Sequence, residues 1–275
     1  AGLMAFLEHA DPTAPVLHRA VHETVKMGAD NPDNFYQTAC ISGAYEYRIR
    51  GKRNTVKYLG FGTQAGHYGQ GGGLPPTGYI EASELEVDAD GFFTLYLSCK
   101  PQPKNWLPMA PDTGCLIVRQ TFLDRTREIP AELVIERVDE GAVNVAMNSN
   151  GALASSGALL PMAPAPLTPA QVDQGLKSAS TLVAGAALLF AKWARDFQAH
   201  SNTLPLFDPA VSNAAGGDPN IAYFHSHWAL ADDEALVIEV MPPECEHWNF
   251  QLNNYWMESL DYVHFRIHTN KHLAR

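Results

Sequence analysis

Basic residues are scarce and nowhere clustered in this chain. Its 275 residues hold 19 Lys and Arg against 30 Asp and Glu, a formal charge of −11. With no basic run to track phosphates, nucleic acid is a poor partner. No Cys-x-x-Cys occurs. Cys40, Cys99, Cys115 and Cys245 are scattered. Their even number permits disulfides, but buried thiols in a reducing, cytoplasmic compartment are the simpler reading. No Gly-x-Ser-x-Gly elbow is present, and Ser155-Ser156 reads as part of a small-residue loop. The first residues lack the basic region and apolar core of a signal peptide. The nearly uncharged run at 178–191 is too short to span a bilayer. The glycine-rich stretch 62–78 has neither a following helix nor a Gly-Lys-Ser/Thr ending. It reads as a mobile loop or lid rather than a phosphate cradle.

What remains is ample for one or two globular domains: 46% of residues are hydrophobic and 18% charged. Gly 21 and Pro 19 imply many turns and lean toward β architecture. Residues 14–27 predict a helix. Thr13 can cap it, Pro15 sits in its first turn, Leu17, Ala20, Val21, Thr24 and Val25 form one face, and Gly28 stops it. Asn31-Pro-Asp-Asn34 is a turn. Strands are expected at 44–50, 55–61, 80–87, 92–98, 115–122 and 131–137, with Asp88-Ala-Asp-Gly91 as a hairpin signal. Short strands with turns between them indicate a β-sandwich or jelly roll.

An Ala- and Pro-rich linker follows at 157–169. Thr168-Pro-Ala-Gln171 is a capping box opening a helix that runs to about His200. Its apolar middle suits burial against a sheet, with an oligomer or membrane-surface contact as the alternative. The β pattern then resumes at 221–230 and 235–241, pairing around Asp232-Asp233, and again at 248–253 and 262–268. Four parts are expected: an N-terminal helical segment (1–30), a first β region (31–156), the linker and inserted helix (157–205), and a second β region (206–275). The last reads as truncated, in a piece of a longer polypeptide.

The chemistry concentrates late in the chain. Residues 247–262 crowd two Trp, two Tyr and a Phe among amides and carboxylates. Such a stretch suits either a wall that stacks on a flat or greasy ligand or a satisfied core strand. Six of the 11 histidines follow residue 224. His225-Ser-His227 would share a strand face, with Glu239 and His264 or His268 as further ligands of a divalent metal. Histidines satisfied within the fold are the commoner outcome. Arg119 interrupts an apolar strand, so its guanidinium must pair with a carboxylate of the fold or meet a ligand. Asn105-Trp106, and Asn249 with Gln251, are similar polar groups in apolar settings. Glu258 with Asp261 has the spacing of a carboxylate pair and of an ordinary turn alike.

Three landmarks carry a family resemblance. The first is Asn31-Pro-Asp-Asn-Phe-Tyr with Tyr45-Glu-Tyr-Arg-Ile-Arg-Gly51. The second is Asp90-Gly91, Asn105-Trp-Leu-Pro-Met109 and Val118-Arg-Gln-Thr-Phe-Leu-Asp124. The third is Glu234-Ala-Leu-Val-Ile-Glu239, Pro242-Pro243 and Trp248-Asn-Phe-Gln-Leu through Trp256-Met-Glu-Ser-Leu-Asp-Tyr262. Together they resemble the bacterial family catalogued as domain of unknown function 1214. The resemblance implies a sandwich or jelly-roll core with inserted helices, and no reaction.

The resulting expectation is a mainly β protein acting as an enzyme of hydrolase, hydratase or lyase type. Its substrate would be a small apolar or aromatic molecule, with no organic cofactor. Asn105, Trp106, Trp248, Asn249, Gln251, Tyr255 and Trp256 would bind it, and Arg119, Glu258 and His247 would do the chemistry. The alternatives are a non-catalytic ligand-binding or homo-oligomeric assembly module, and a metalloenzyme using His225, His227, Glu239 and His268.

Overall fold

The computed structural model describes residues 1–68, 73–139 and 166–274. Within them the chain is mainly β. The first sheet orders β1 (Asn34–Cys40), β7 (Thr113–Thr121), β3 (Tyr58–Ala65) and β4 (Pro76–Glu81), all antiparallel. The second orders β6 (Trp106–Pro108), β5 (Phe92–Ser98), β2 (Tyr47–Lys52) and β8 (Glu132–Arg137), antiparallel except for β5 beside β6.

Alternation explains why the two sheets stack. Leu59 and Phe61 of β3 and Leu116 and Val118 of β7 turn inward and are fully buried. They meet Tyr47, Ile49, Leu95, Leu97 and Leu107 of the second sheet in one core. Phe61 and Phe93 touch edge to face across it, with ring centroids 6.1 Å apart. Period-2 burial on both inner faces is the pattern of a β-sandwich.

Most expected strands of the first β region form, yet neither turn read as a hairpin joins two paired strands. The turn at Asn54, which has φ +46, does not join a hairpin, because β2 and β3 belong to different sheets. Likewise β4 pairs with β3 and not with β5. A short turn at Ala82–Glu84 carries the chain between the layers, and Asp88 closes the Asp88–Gly91 turn by accepting from the Phe92 amide at 2.8 Å.

The sheets come closest where β4 meets β6. There the Thr63 hydroxyl donates to the Pro108 carbonyl at 2.7 Å. A Cβ on Gly78 would lie 2.2 Å from that same oxygen, so only glycine fits.

The predicted helix at 14–27 does not form. That stretch is a chain of turns and single bridges, including His18 with Thr38 and His22 with Val25. The N-terminal helical turn lies earlier, at Met4–Glu8. Gly28 does change the chain's direction, with φ +69. The capping box holds: Thr168 and Gln171 bond reciprocally at the start of α1 (Pro169–Asp196), and a 3-10 turn continues it to His200.

Helix α1 buries Gly175, Ala179, Ala186, Phe190 and Ala194, one stripe at helical spacing. Gly175 rests on Leu7 and Phe6 of the N-terminal turn, and Phe190 enters a second core with Tyr68, Phe197 and Met257. The helix therefore packs on the N-terminal turn and an aromatic cluster, not flat against a sheet. Helix α2 (Pro209–Ala214) follows. Among the described residues no helix is long and apolar enough to cross a membrane.

The second β region is reduced to β9 (Asn249–Gln251) and β10 (His268–Asn270), an antiparallel pair. The strands expected at 221–230 and 235–241 do not form: Phe224 makes a single antiparallel bridge with Leu206, and among the described residues 235–241 pairs with no strand. Part of the glycine-rich stretch is strand, since Gly62 sits in β3 and Gly78 in β4; residues 69–72 lie outside the described residues. So do Ser155-Ser156 and most of the 157–169 linker. Among the cysteines, none is paired and Cys99 is exposed rather than buried. Cys40 and Cys115 face each other across β1 and β7, and burial pushes their thiols up to about 11 and about 12.

Replacing Gly78 by Ala forces the two layers apart at their closest point. It is expected to cost about 1–3 kcal/mol, read as a lower urea midpoint with an unchanged slope.

Candidate functional site

The outer face of the first sheet carries polar residues that the alternation of its strands places side by side. Tyr36 of β1 stands beside Arg119 of β7, with Gly60 of β3 next in the row. Asn34, Thr121 and Tyr58 form the row beyond. The loop after α2 closes over this face and brings in Asp218.

Asp218 is fully buried and Arg119 nearly so. The Arg119 guanidinium lies 3.6 Å from the Asp218 carboxylate and donates to the Gly216 carbonyl at 2.7 Å. Tyr58 and Tyr79 donate to the same Asp218 oxygen at 3.0 and 3.2 Å, and the two phenols touch each other. Tyr79 also reaches Glu81 at 3.2 Å, which accepts from Asn220 at 2.8 Å. A Cβ on Gly60 would sit 2.8 Å from both phenol oxygens. Glycine there lets the two rings lie across the strand.

The electrostatics follow from burial. Desolvation opposes the charge on Arg119, but Asp218 and the surrounding phenols outweigh it and hold its pKa above the ordinary arginine value. Burial, then the Asp218 charge, raises the Tyr58 and Tyr79 hydroxyls. Tyr36 is pushed by burial to about 12. These phenols are neutral donors at any physiological pH. The ion pair is thus saturated, and Arg119 serves the fold by holding the 216–223 loop on the sheet.

A second set of groups collects at the adjoining corner. The Asp33 carboxylate, nearly buried, lies 3.1 Å from His268 Nε2 and accepts from Asn270 at 3.1 Å. The Phe122 amide donates to the Asp33 carbonyl at 3.0 Å, which sets Thr121 beside this group. Three buried polar atoms here have no hydrogen-bond partner among the described residues: His268 Nδ1, Thr121 Oγ and Asn34 Oδ1. An unpaired buried polar atom costs about 1–3 kcal/mol. His247 closes the corner, its ring 5.1 Å from that of Tyr58. Burial lowers its pKa, partly offset by Glu246 and Asp218.

The remaining expected site residues disperse. Asn249 donates to Gln251 and Asn31, and Gln251 donates to the Asp30 carbonyl and to Asn253. These amides stitch β9 to the 29–31 loop. Trp248 is half-buried directly before β9, while Tyr255 and Trp256 form an exposed edge-to-face pair with centroids 5.7 Å apart. Glu258 accepts from Asn254 at 2.8 Å and closes the turn at Met257, whose φ is +55. Asn105 and Trp106 lie on the second sheet. Asn105, with φ +44, pins Glu86 through both amide atoms, and Trp106 donates to the Ser98 carbonyl. The single wall expected from these seven residues is not assembled.

Nor is the metal set. The His225 ring stacks on Phe197 at 5.1 Å and on Tyr223 at 6.0 Å. His227 pairs with Ser201 at 3.1 Å and His268 with Asp33. Glu239 is exposed on the unpaired stretch, and exposed His264 bonds Asp261. Among the described residues no three His, Cys, Asp or Glu side chains gather as a metal site. The two foremost hollows lie elsewhere: about 450 Å³ along Arg50, Val87 and Phe92, and about 330 Å³ between Trp193 and Val211.

The sequence reading missed Asp33, Thr121, Tyr58, Tyr79 and Asp218. Asp33 sat inside a turn motif, and the tyrosines looked like ordinary alternating strand residues.

A solved structure of an uncharacterized protein from Burkholderia cenocepacia is similar to this chain. The two are 44% identical with a TM-score of 0.85, over 100% of this chain and 71% of that one. The VPA0106 protein from Vibrio parahaemolyticus shares 17% identity over 39% of this chain and 31% of its own, at a TM-score of 0.29 that bears on nothing further. No family model and no curated protein matches the chain.

Removing one partner of the buried ion pair strands the other. Asp218→Asn is expected to cost about 3–5 kcal/mol, measured by urea unfolding at neutral pH. Burial holds His225 at about 4, below the free imidazole at 6.5. A depressed pKa contributes stability that is complete above pH 6.5 and lost as pH falls toward 4. The loss is about 3 kcal/mol. His225→Phe keeps the ring stack and should flatten the stability profile between those values.

Proposed function

Because the chain belongs to the same family as the uncharacterized Burkholderia cenocepacia protein, whose title names no activity, we propose a function from its own side chains: an enzyme of hydrolase, hydratase or lyase type, working on a small apolar or aromatic molecule at the Asp33–His268 corner. One observation carries this reading. His268 Nε2 is engaged by the buried Asp33 carboxylate while Nδ1 is buried and, among the described residues, unpaired. A carboxylate that accepts from one ring nitrogen fixes the tautomer and leaves a lone pair on the other, the arrangement of an oriented general base.

Thr121 and Asn34 supply the neighbouring hydroxyl and carbonyl. The rings of Tyr58 and His247 border the corner and suit an apolar or aromatic guest. This reading moves the proton-transfer role from Glu258 and His247 to His268. Arg119 becomes a group that holds the loop rather than one that meets substrate. We also propose membership of the domain of unknown function 1214 family. Its first and second landmarks, at Asn31–Tyr36 and Val118–Asp124, contribute Asp33, Asn34 and Thr121 to the corner.

The test uses p-nitrophenyl butyrate as the probe. His268→Gln is expected to lower kcat/KM by about 10²–10⁴, and Asp33→Asn, which removes the carboxylate that orients the ring, to lower it as well. Circular dichroism checks that both variants remain folded. Equal turnover by wild type and His268→Gln, or none by the wild type, overturns the hydrolase form of the reading.

A further inference from the structure

Two half-buried thiols face each other on the first sheet, at the opposite end of β1 from the Asp33–His268 corner. Cys40 ends β1, Cys115 lies near the start of β7, and the strand register places them directly opposite. Both project from the outer face, since their neighbours Ala39 and Leu116 are buried in the sandwich core. Both are free cysteines.

The ladder decides what this pair can do. Along an antiparallel pair, hydrogen-bonded and non-hydrogen-bonded positions alternate. The Ile41 amide donates to the Gly114 carbonyl at 3.2 Å, and the Phe122 amide to the Asp33 carbonyl at 3.0 Å. These bonds fix the phase from both ends, because the register runs unshifted from Asn34–Thr121 to Cys40–Cys115. Odd-numbered residues of β1 therefore bond β7, and Cys40 falls at a non-hydrogen-bonded position. Thr38 agrees with this phase: its amide and its carbonyl both turn away from β7 and bond His18, at 2.9 and 3.0 Å.

At a non-hydrogen-bonded position the Cα atoms stand about 4.5 Å apart, and the Cβ atoms take the short end of about 4.5–5.5 Å. A disulfide spans Cα separations of about 4.4–6.8 Å and Cβ separations of about 3.5–4.5 Å. Side-chain rotation and a small closure of the Cβ gap bring the sulfurs together without breaking a ladder bond. What is given up is slight. Cys40 Sγ donates to the Ala10 carbonyl at 3.3 Å and Cys115 Sγ to the Leu116 carbonyl at 3.4 Å, and a thiol is a weak donor.

We propose that Cys40 and Cys115 are a modification site, closing into a reversible cross-strand disulfide with a small disulfide such as oxidised glutathione as the oxidant. The Cys40 thiolate attacks one glutathione sulfur, and the other glutathione leaves as a thiolate and takes up a proton. The Cys115 thiolate then attacks Cys40 Sγ and releases the second glutathione in the same way. Two protein thiols become one disulfide, and one oxidised glutathione becomes two reduced ones. Burial keeps both thiols protonated at neutral pH, so the exchange takes hours rather than seconds. Strand β1 is the end strand of its sheet. The bond fastens it to β7 and closes a long loop in the unfolded chain, which stabilises the oxidised fold.

The whole 275-residue chain is incubated for hours with oxidised glutathione in the absence of denaturant, then quenched with acid, alkylated and digested. Mass mapping of the unreduced peptides should find Cys40 joined to Cys115, at least about tenfold above any link that includes Cys99 or Cys245, because only the facing pair is held in position. The urea midpoint should rise on oxidation and return with dithiothreitol. Cys40→Ser should abolish the rise and leave Cys115 as a thiol or a glutathione adduct. Cys99→Ser with Cys245→Ser keeps only the facing pair and should cross-link as the wild type does. Cys40 and Cys115 both alkylated, or each carrying its own glutathione, overturns the proposal. A link that forms only in urea belongs to the unfolded chain and overturns it as well.

Discussion

A guanidinium in the middle of an apolar strand governs what is laid over the first sheet. Arg119 stands on β7 among residues that bury completely, and a buried charge without a counter-ion is not tolerable. The chain answers with Asp218, supplied from a loop almost a hundred residues later. Once that carboxylate is in place, its other valences need donors, and Tyr58 and Tyr79 provide them. Gly60 is the corollary, because no side chain can stand under both phenols. Helix α2 and the aromatic cluster around Phe190 and Tyr68 follow the same loop onto the sheet.

The sandwich core depends less on such pairing and was legible in advance. Strands such as β2, β5 and β7 announce themselves by period-2 hydrophobicity, and their positions agree closely with expectation. Connectivity does not show in that pattern. The turns at Asn54 and Asp88–Gly91 have the residues of hairpins, yet neither joins two strands that pair: β2 and β3 lie in different sheets, and so do β4 and β5. Turn chemistry fixes a local reversal; sheet membership is fixed by which inward residues share a core, a non-local property. The missed helix at 14–27 has the same origin. Leu17 and Val21 have helical spacing, but His18 bridges to Thr38 and the segment is spent along the edge of β1.

The site shows the complementary limit. Arg119 was visible because a charge inside an apolar run is anomalous. Asp33 and Thr121 were not, since an Asp in a turn and a Thr in a strand are unremarkable. Their significance is relational: His268 acquires an oriented ring only when β10 sits against the 31–34 turn. The histidine-rich tail attracted a metal reading for want of that relation. Each imidazole instead found its own partner, namely Phe197, Ser201, Asp33 or Asp261.

The same reasoning separates two kinds of strand-like sequence in the second half. Asn249–Gln251 forms a ladder because its amides and the Asp33–His268–Asn270 contacts give it somewhere to dock. Residues 235–241 have stronger β propensity, yet among the described residues no strand lies alongside them and their side chains stay exposed. The strand expected there is therefore not formed. What separates the two segments is whether a pairing edge and polar anchors lie beside them, not their own hydrophobicity.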